Sequence, residues 1–232
     1  FDDWVNAYEF QNKALTINDL KIIKQEDSSF IFNRFLEILR QNVVSDKPNA
    51  FNKIFTLFLC KIVDETYAKD NKRLGFQWIE GIDDNISFQK RLTDLYKAGM
   101  KELLNKEVKD LTDDEFNRKF SGITEDYREK ILKEFTEIRL KKNNEFAFKE
   151  VFDDSSFEDN SKVVKAVVEL LQEYQLRYNK KHQYLSDFFE LLLTTGLKQE
   201  SGQFFTPVPV AKYIIRSLPI KEIIEEKIKT GN

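Results

Sequence analysis

Apolar residues recur at helical spacing along most of this 232-residue chain, and few residues interrupt that pattern. Segments such as 32–43 carry apolar side chains three and four positions apart, which places those side chains on one face of a helix. The whole chain holds only seven glycines and four prolines, the residues that most often end a helix. The pattern therefore predicts a mainly α-helical fold, a helical bundle in which strands are minor.

Capping residues predict where the first two helices begin. Ser28 and Ser29 are candidate N-caps for the first helix. Asp46, with Pro48 in the first turn, predicts the start of the second helix, whose stretch 51–63 is apolar nearly all round. Such a stretch is typical of a central helix that is covered on several sides. The expected inner face of the first helix consists of Phe32, Phe35, Leu36, Leu39 and Val43.

Other elements are predicted from the same signals. Residues 74–79, in which aromatic and polar residues alternate before Gly81, favour a short extended segment. Thr112 and Thr124 are candidate N-caps, and Gly196 is placed to end the last helix. The further predicted helices span residues 84–104, 112–120, 124–140, 161–178 and 182–195.

An acidic stretch divides the chain. Residues 144–160 contain six acidic residues and one basic residue, Lys149, and they include the loop-like sequence Asp-Asp-Ser-Ser at 153–156. This composition predicts a linker or a surface loop. We therefore expect a helical bundle over residues 1–143, an acidic linker or loop over 144–160, and a helical arm over 161–232.

Charge, cysteine content and hydropathy limit the classes of protein. The net charge of −3 does not by itself indicate a nucleic-acid partner, so any DNA contact must come from a local patch. A single cysteine, Cys60, excludes an internal disulfide framework and favours a reducing cytoplasm. No apolar run is long enough to cross a membrane, so no membrane partner is expected. Because the chain begins at Phe1, we expect it to be a piece of a longer protein.

The segment KQESGQFFTPVPVAK, residues 198–212, differs from an ordinary connector. Thr206 is a good N-cap and Pro207 a good first helical residue, so Phe204 and Phe205 precede a helix start. The two prolines remove N–H groups from the first turn, which disfavours a phosphate site. On the residues alone, two interpretations stay open: a capped helix whose aromatics lie in the core, or a flat, partly apolar ligand face.

The motif GQFFTP at 202–207, followed by the helix VPVAKYIIRSLP, resembles the segment that precedes the cofactor-binding sheet in N6-adenine DNA methyltransferases. This family includes the modification subunits of type I restriction–modification systems and related single-chain type II enzymes. The preceding helix, SDFFELLLTTGLKQESG, resembles the family's lead-in to the motif. Upstream, AFNKIFTLFLCKIVDE (residues 50–65) and FQKRLTDLYKAGMKELL (88–104) resemble two helices of its N-terminal domain. The resemblance spans roughly residues 28–220.

The resemblance implies that S-adenosylmethionine is the cofactor and that the Thr-Pro step lies beside its methionine part. The catalytic motifs of the family, a glycine-rich cofactor loop and an Asn/Asp-Pro-Pro-aromatic tetrapeptide, are absent from residues 1–232. No catalytic residue is therefore expected in this chain, which ends before the domain that flips and methylates the target adenine. The residues implicated in cofactor binding are Gly202, Gln203, Phe204, Phe205, Thr206 and Pro207.

Double-stranded DNA is the expected partner, and basic clusters are candidates for phosphate contacts. Solvated helix faces are an equal alternative for each cluster. The resemblance also implies docking of a specificity subunit, an endonuclease subunit or a second copy. The second class of function is therefore a non-catalytic helical docking module without a ligand of its own. The candidate DNA-binding residues are Lys141, Lys142, Arg177, Lys180 and Lys181.

Two other groups of polar residues are candidates for chemistry. Lys61, Asp64 and Glu65 could suggest a metal or nuclease site, but a charged helix end accounts for them more simply, and no pair of strands is predicted beside them. His182 follows two lysines without a Cys or Asp partner nearby, so a solvated side chain is expected. No metal site is predicted.

Overall fold

The computed structural model describes residues 14–69, 71–108 and 113–177, together with residues 213, 216, 217 and 228. Up to Arg177 it confirms the prediction of a mainly α-helical protein. Two short parallel strands pair Lys21 with Tyr174, and a 3-10 turn spans Ile17–Asp19. The predicted helix at 182–195 lies outside the described residues. The elements are β1 (Lys21–Ile22), α1 (Gln25–Gln41), α2 (Lys47–Tyr67), α3 (Asn85–Leu104), α4 (Asp113–Lys119), α5 (Glu125–Lys142), α6 (Asp154–Gln172) and β2 (Tyr174–Gln175).

Helix α2 is the central helix, as predicted. The Asp46 carboxylate accepts the N–H of Asn49 at 2.9 Å, and Pro48 lies in the first turn. Helices α3 and α6 both pack against α2. Its buried residues are Ala50, Phe51, Ile54, Leu57, Phe58, Cys60, Lys61, Val63 and Glu65.

The predicted limits of α1 were wrong at both ends. The helix begins at Gln25, and Asp27, not Ser28 or Ser29, accepts the N–H of Lys24 at 2.8 Å. Val43 lies beyond the helix and is 79% exposed, with a φ of 54°. Because hydrogen bonds from the N–H groups that follow the helix return to its last carbonyls, the chain turns there and carries Val43 away from the apolar face.

The extended segment predicted at 74–79 is a buried loop. Arg73 makes a single antiparallel bridge with Thr16, and bends follow it. The Arg91 guanidinium donates to the carbonyls of Gly75 and Gln77 at 2.8 and 2.7 Å. Since those carbonyls would otherwise be available to a neighbouring strand, Arg91 favours the loop over an extended pairing.

Helix α6 begins at Asp154 and ends at Gln172, before β2, so both predicted limits, Ser161 and residue 178, are wrong. The Asp153 carboxylate accepts the N–H of Ser156 at 2.8 Å, so the loop-like sequence is an N-cap. In the loop before it, Phe146 and Phe148 are buried. The first helix of the predicted arm therefore packs in the same core as α1, α2 and α3.

Aromatic residues tie this core together. The Phe35 ring meets the rings of Phe51 and Phe148 edge to face, at centroid distances of 5.7 and 6.5 Å. A smaller aromatic cluster joins α4 to α5 through Phe116 and Phe135. Among the described helices, none combines the length and the apolar character that a membrane crossing requires.

Candidate functional site

The site that the structure defines best is the place where the backbone leaves α6, which we call the exit junction. It comprises the carboxyl ends of α2 and α6, strand β2, and Leu176 and Arg177. The chain continues from there toward the motif at 202–207. The predicted cofactor-binding residues lie outside the described residues, as do Lys180, Lys181 and His182: Gly202, Gln203, Phe204, Phe205, Thr206 and Pro207.

Glu65 hydrogen bonds to the backbone that follows β2. Its side chain is only 1% exposed, and it lies in the last turn of α2. The carboxylate accepts the N–H of Leu176 at 3.0 Å and the N–H of Arg177 at 2.7 Å. These N–H groups come directly after β2, so Glu65 satisfies donors that would otherwise lack a partner.

Lys61 lies one turn earlier on the same face of α2 and completes a buried pair. Its Nζ is 3.1 Å from the Glu65 carboxylate and donates to the carbonyl of Gln172 at 3.2 Å. The ammonium also lies 5.3 Å from the centroid of the Phe76 ring. Burial lowers the pKa of Lys61, although the negative charge of Glu65 acts in the opposite direction.

Asp64 hydrogen bonds to the backbone of the loop after α2. Its carboxylate accepts the N–H of Phe76 at 2.7 Å in the loop after α2. Burial raises the pKa of Asp64, and the hydrogen bonds from Phe76 and Gly75 offset only part of that effect. The charged residues that end α2 therefore fix the loop after α2 and the chain after α6 at one point.

This arrangement positions backbone. The Glu65 and Asp64 carboxylates are engaged by N–H groups and by Lys61. Within the ranges that the structure describes, no group of three or more His, Cys, Asp or Glu residues could hold a metal ion. The geometry thus agrees with a charged helix end, but the anchoring of the chain after α6 was not predicted. Charged residues at 61, 64 and 65 on an apolar helix were its only signal in the sequence.

The described DNA-binding candidates lie on different elements. The Lys141 ammonium, in the last turn of α5, contacts the carboxylates of Glu137 and Asp154. These contacts raise the pKa of Lys141. Lys142 is exposed beside it. Arg177 lies instead at the exit junction, where its guanidinium is 3.4 Å from the carbonyl of Thr66.

Comparisons with known proteins leave the family open. The sequence matches no protein-family model, and no curated protein matches it. A proposal for the function must therefore come from the motif at 202–207 and from the exit junction.

Proposed function

We propose that this chain is the N-terminal helical part of a site-specific DNA methyltransferase of a restriction–modification system. The enzyme transfers a methyl group from S-adenosylmethionine to N6 of adenine in double-stranded DNA, in the cytoplasm. The observation that carries the proposal is the sequence GQFFTP at 202–207 with its flanking helices. The catalytic tetrapeptide and the cofactor loop belong, in this proposal, to a domain that follows residue 232.

The exit junction supports the proposal because one segment that carries the resemblance anchors the start of the chain that leads to the other. Residues 50–65 form most of α2, and their last residue, Glu65, hydrogen bonds to the N–H of Arg177. The chain after Arg177 leads to the second segment, residues 186–219. A helical part that guides the cofactor motif toward a catalytic domain needs such a fixed exit, since the geometry of a binding site depends on the elements that carry it.

Within the motif, four residues have a proposed role. Phe205 and Thr206 contact the methionine part of the cofactor, and Gly202 allows the backbone to approach closely. Pro207 fixes the start of the helix that follows. The helical part also contacts the DNA backbone, which holds the duplex while the target adenine is flipped out.

The test uses the protein that contains this chain and the domain encoded after it. The double variant Phe205→Ala, Thr206→Ala is expected to weaken S-adenosylmethionine binding about tenfold or more, measured by titration calorimetry. Tyr213→Ala is the matched control, because that side chain is 74% exposed in the helix after the motif. Unchanged cofactor affinity in the double variant would contradict the proposed roles.

One observation favours docking as a second candidate function. Along α5, the side chains of Tyr127, Phe135 and Ile138 are 64%, 49% and 52% exposed on one side of the helix, over about three turns. Exposed apolar faces of this kind mark protein contacts. The double variant Tyr127→Ser, Ile138→Ser should abolish self-association in sedimentation equilibrium if this face binds a second copy; Phe135 is kept because its ring also packs on Phe116. Sedimentation as a monomer by the unaltered chain would contradict that role.

A further inference from the structure

A loop with three basic residues follows α2. Lys69, Lys72 and Arg73 are all exposed, and the sequence 69–73 has a net charge of +2. The N–H of Lys72 donates to the carbonyl of Lys69 at 3.0 Å, which closes a turn. Asn71 has a φ of 60°, in the left-handed region that Asn tolerates better than most residues. The turn therefore brings the backbones of Lys69 and Lys72 close together.

Arg177 adds a fourth basic side chain at the same end of the molecule. Its guanidinium lies 3.4 Å from the carbonyl of Thr66 and 3.5 Å from that of Glu65. Thr66 precedes Lys69 by three residues, so their Cα atoms are at most about 11 Å apart. We call Lys69, Lys72, Arg73 and Arg177 the basic patch.

The described acidic side chains nearest this end are engaged with other groups, and Asp70 lies within the loop sequence itself. Glu65 and Asp64 are tied to backbone N–H groups at the exit junction. Glu173 forms an ion pair with Lys21 at 2.6 Å. Asp83 forms a 2.6 Å ion pair with Arg91, and Glu102 accepts the Tyr67 hydroxyl at 3.4 Å. Among the described residues, none of these carboxylates forms a direct ion pair with the basic patch, although Asp83 also interacts electrostatically with Arg73.

We propose that the basic patch binds the phosphate backbone of duplex DNA. The inference rests on the proposed function, in which duplex DNA is the substrate, and it adds Lys69, Lys72 and Arg73 to the candidate contacts. Several cations within roughly one Debye length, about 8–10 Å, interact together with a polyanion. Each phosphate that such a cation neutralises releases counterions, so the affinity depends steeply on salt. Contacts of this kind position a duplex without specifying its sequence.

The experiment measures binding of the full chain to a fluorescent duplex by anisotropy, at salt concentrations from roughly 50 to 200 mM. The patch variant is Lys69→Gln, Lys72→Gln, Arg73→Gln. The control variant, Lys119→Gln, Lys130→Gln, Lys133→Gln, changes the net charge equally at exposed positions of α4 and α5. Circular dichroism checks that both variants keep the helical fold.

The patch variant is expected to lose at least tenfold in affinity at low salt. The slope of log K against log salt should become shallower by about 2–3, since each lost phosphate contact contributes about 0.9. The control variant should stay within about twofold of the unaltered chain. Equal losses in the two variants would overturn the inference, because net charge alone would then account for binding.

Absence of salt-dependent DNA binding by the unaltered chain would also overturn the inference. The proposed function has a separate test. If the patch variant loses DNA affinity as expected but the protein with its following domain transfers no methyl group, the proposed function fails and the basic patch remains a DNA-binding surface. If methyl transfer occurs and the patch variant binds DNA normally, the inference alone fails.

Discussion

The Glu65 carboxylate accepts the backbone N–H of Arg177 at 2.7 Å, across 112 residues of sequence. A buried ion pair such as Lys61–Glu65 often stabilises a fold no more than a well-packed apolar pair would. Here, however, replacing Lys61 and Glu65 by apolar residues would leave the N–H groups of Leu176 and Arg177 without the carboxylate that accepts them. The pair therefore fixes the path of the chain after α6.

Glu65→Leu is expected to destabilise the protein by roughly 3–5 kcal/mol. The substitution leaves the buried Lys61 ammonium without its counter-ion and the N–H groups of Leu176 and Arg177 without their acceptor. Urea unfolding followed by circular dichroism measures the loss. Glu65→Gln is the control and should lose less, since its amide oxygen still accepts one N–H. A loss below about 1 kcal/mol in Glu65→Leu would contradict the role of this contact.

Gly99→Ala is expected to lower stability by roughly 1–2 kcal/mol, although alanine favours helix more than glycine by about 1 kcal/mol. Gly99 lies inside α3 where it meets α2, and an added Cβ would lie 2.8 Å from Leu59 Cγ. Thermal unfolding of Gly99→Ala, Leu59→Ala and the double variant gives the coupling between the two positions. A stabilised Gly99→Ala protein would show that the two helices separate easily there.

Val43→Gly is expected to raise stability by roughly 0.5–1 kcal/mol, because a β-branched residue in the left-handed region is strained. Val43 is 79% exposed at a φ of 54°, so little apolar burial is lost. Val43→Asn should gain a similar amount without the greater backbone freedom that glycine has in the unfolded chain. If both variants unfold at lower urea concentration than the unaltered protein, the strain argument is wrong.

The cap of α3 should make stability depend on acid pH. Hydrogen bonds from Ser87, chiefly from its backbone N–H, hold the pKa of Asp84 below its ordinary value of 3.8. The unfolded chain then binds more protons in this window, so the contribution of Asp84 is present above about pH 4 and is lost as pH falls through the folded-state pKa. Asp84→Asn keeps a capping oxygen and removes the titration. Its stability relative to the unaltered protein should therefore rise on acidification, and a constant difference would contradict the assignment.

Asp64 should show the opposite dependence. Burial raises its pKa above the ordinary value of 3.8, so the folded protein binds more protons between the two pKa values. Its contribution to stability is therefore largest at low pH and falls as pH rises from about 4 through the folded-state pKa. The free energy of unfolding of Asp64→Asn, compared with that of the unaltered protein across this range, should improve as pH rises. A relative loss with rising pH would contradict the raised pKa.

Local sequence signals predicted the helices whose caps and apolar faces lie close together in the chain. The start of α2 at Asp46 and the extent of α3 from 85 to 104 follow directly from such signals. The predictions for the end of α1 and for residues 74–79 were wrong because distant or non-repetitive hydrogen bonds determine the backbone conformation there. For example, the Arg91 guanidinium donates hydrogen bonds to two carbonyls of residues 74–79, the segment that the local pattern predicts to be extended.

The exit junction could be predicted only in part. The residues at 61, 64 and 65 stood out as charges on an apolar helix. However, the backbone N–H that Asp64 accepts at Phe76 is 12 residues away, and the one that Glu65 accepts at Arg177 is 112 residues away. The acidic composition of residues 144–160 predicted a linker or surface loop, but part of this segment is buried. Phe146 and Phe148 pack into the core, and the acidic residues flank them in the sequence. The basic patch joins two segments that no local pattern connects.

The most direct test of the central claim is methyl transfer by the protein encoded by the complete reading frame. That protein, incubated with duplex DNA and S-adenosylmethionine, is expected to form N6-methyladenine within a specific sequence, detected by mass spectrometry of the digested DNA. The Phe205→Ala, Thr206→Ala variant should form much less. If the protein is folded and binds DNA but forms no N6-methyladenine on any of a broad set of duplex sequences, the methyltransferase proposal is contradicted.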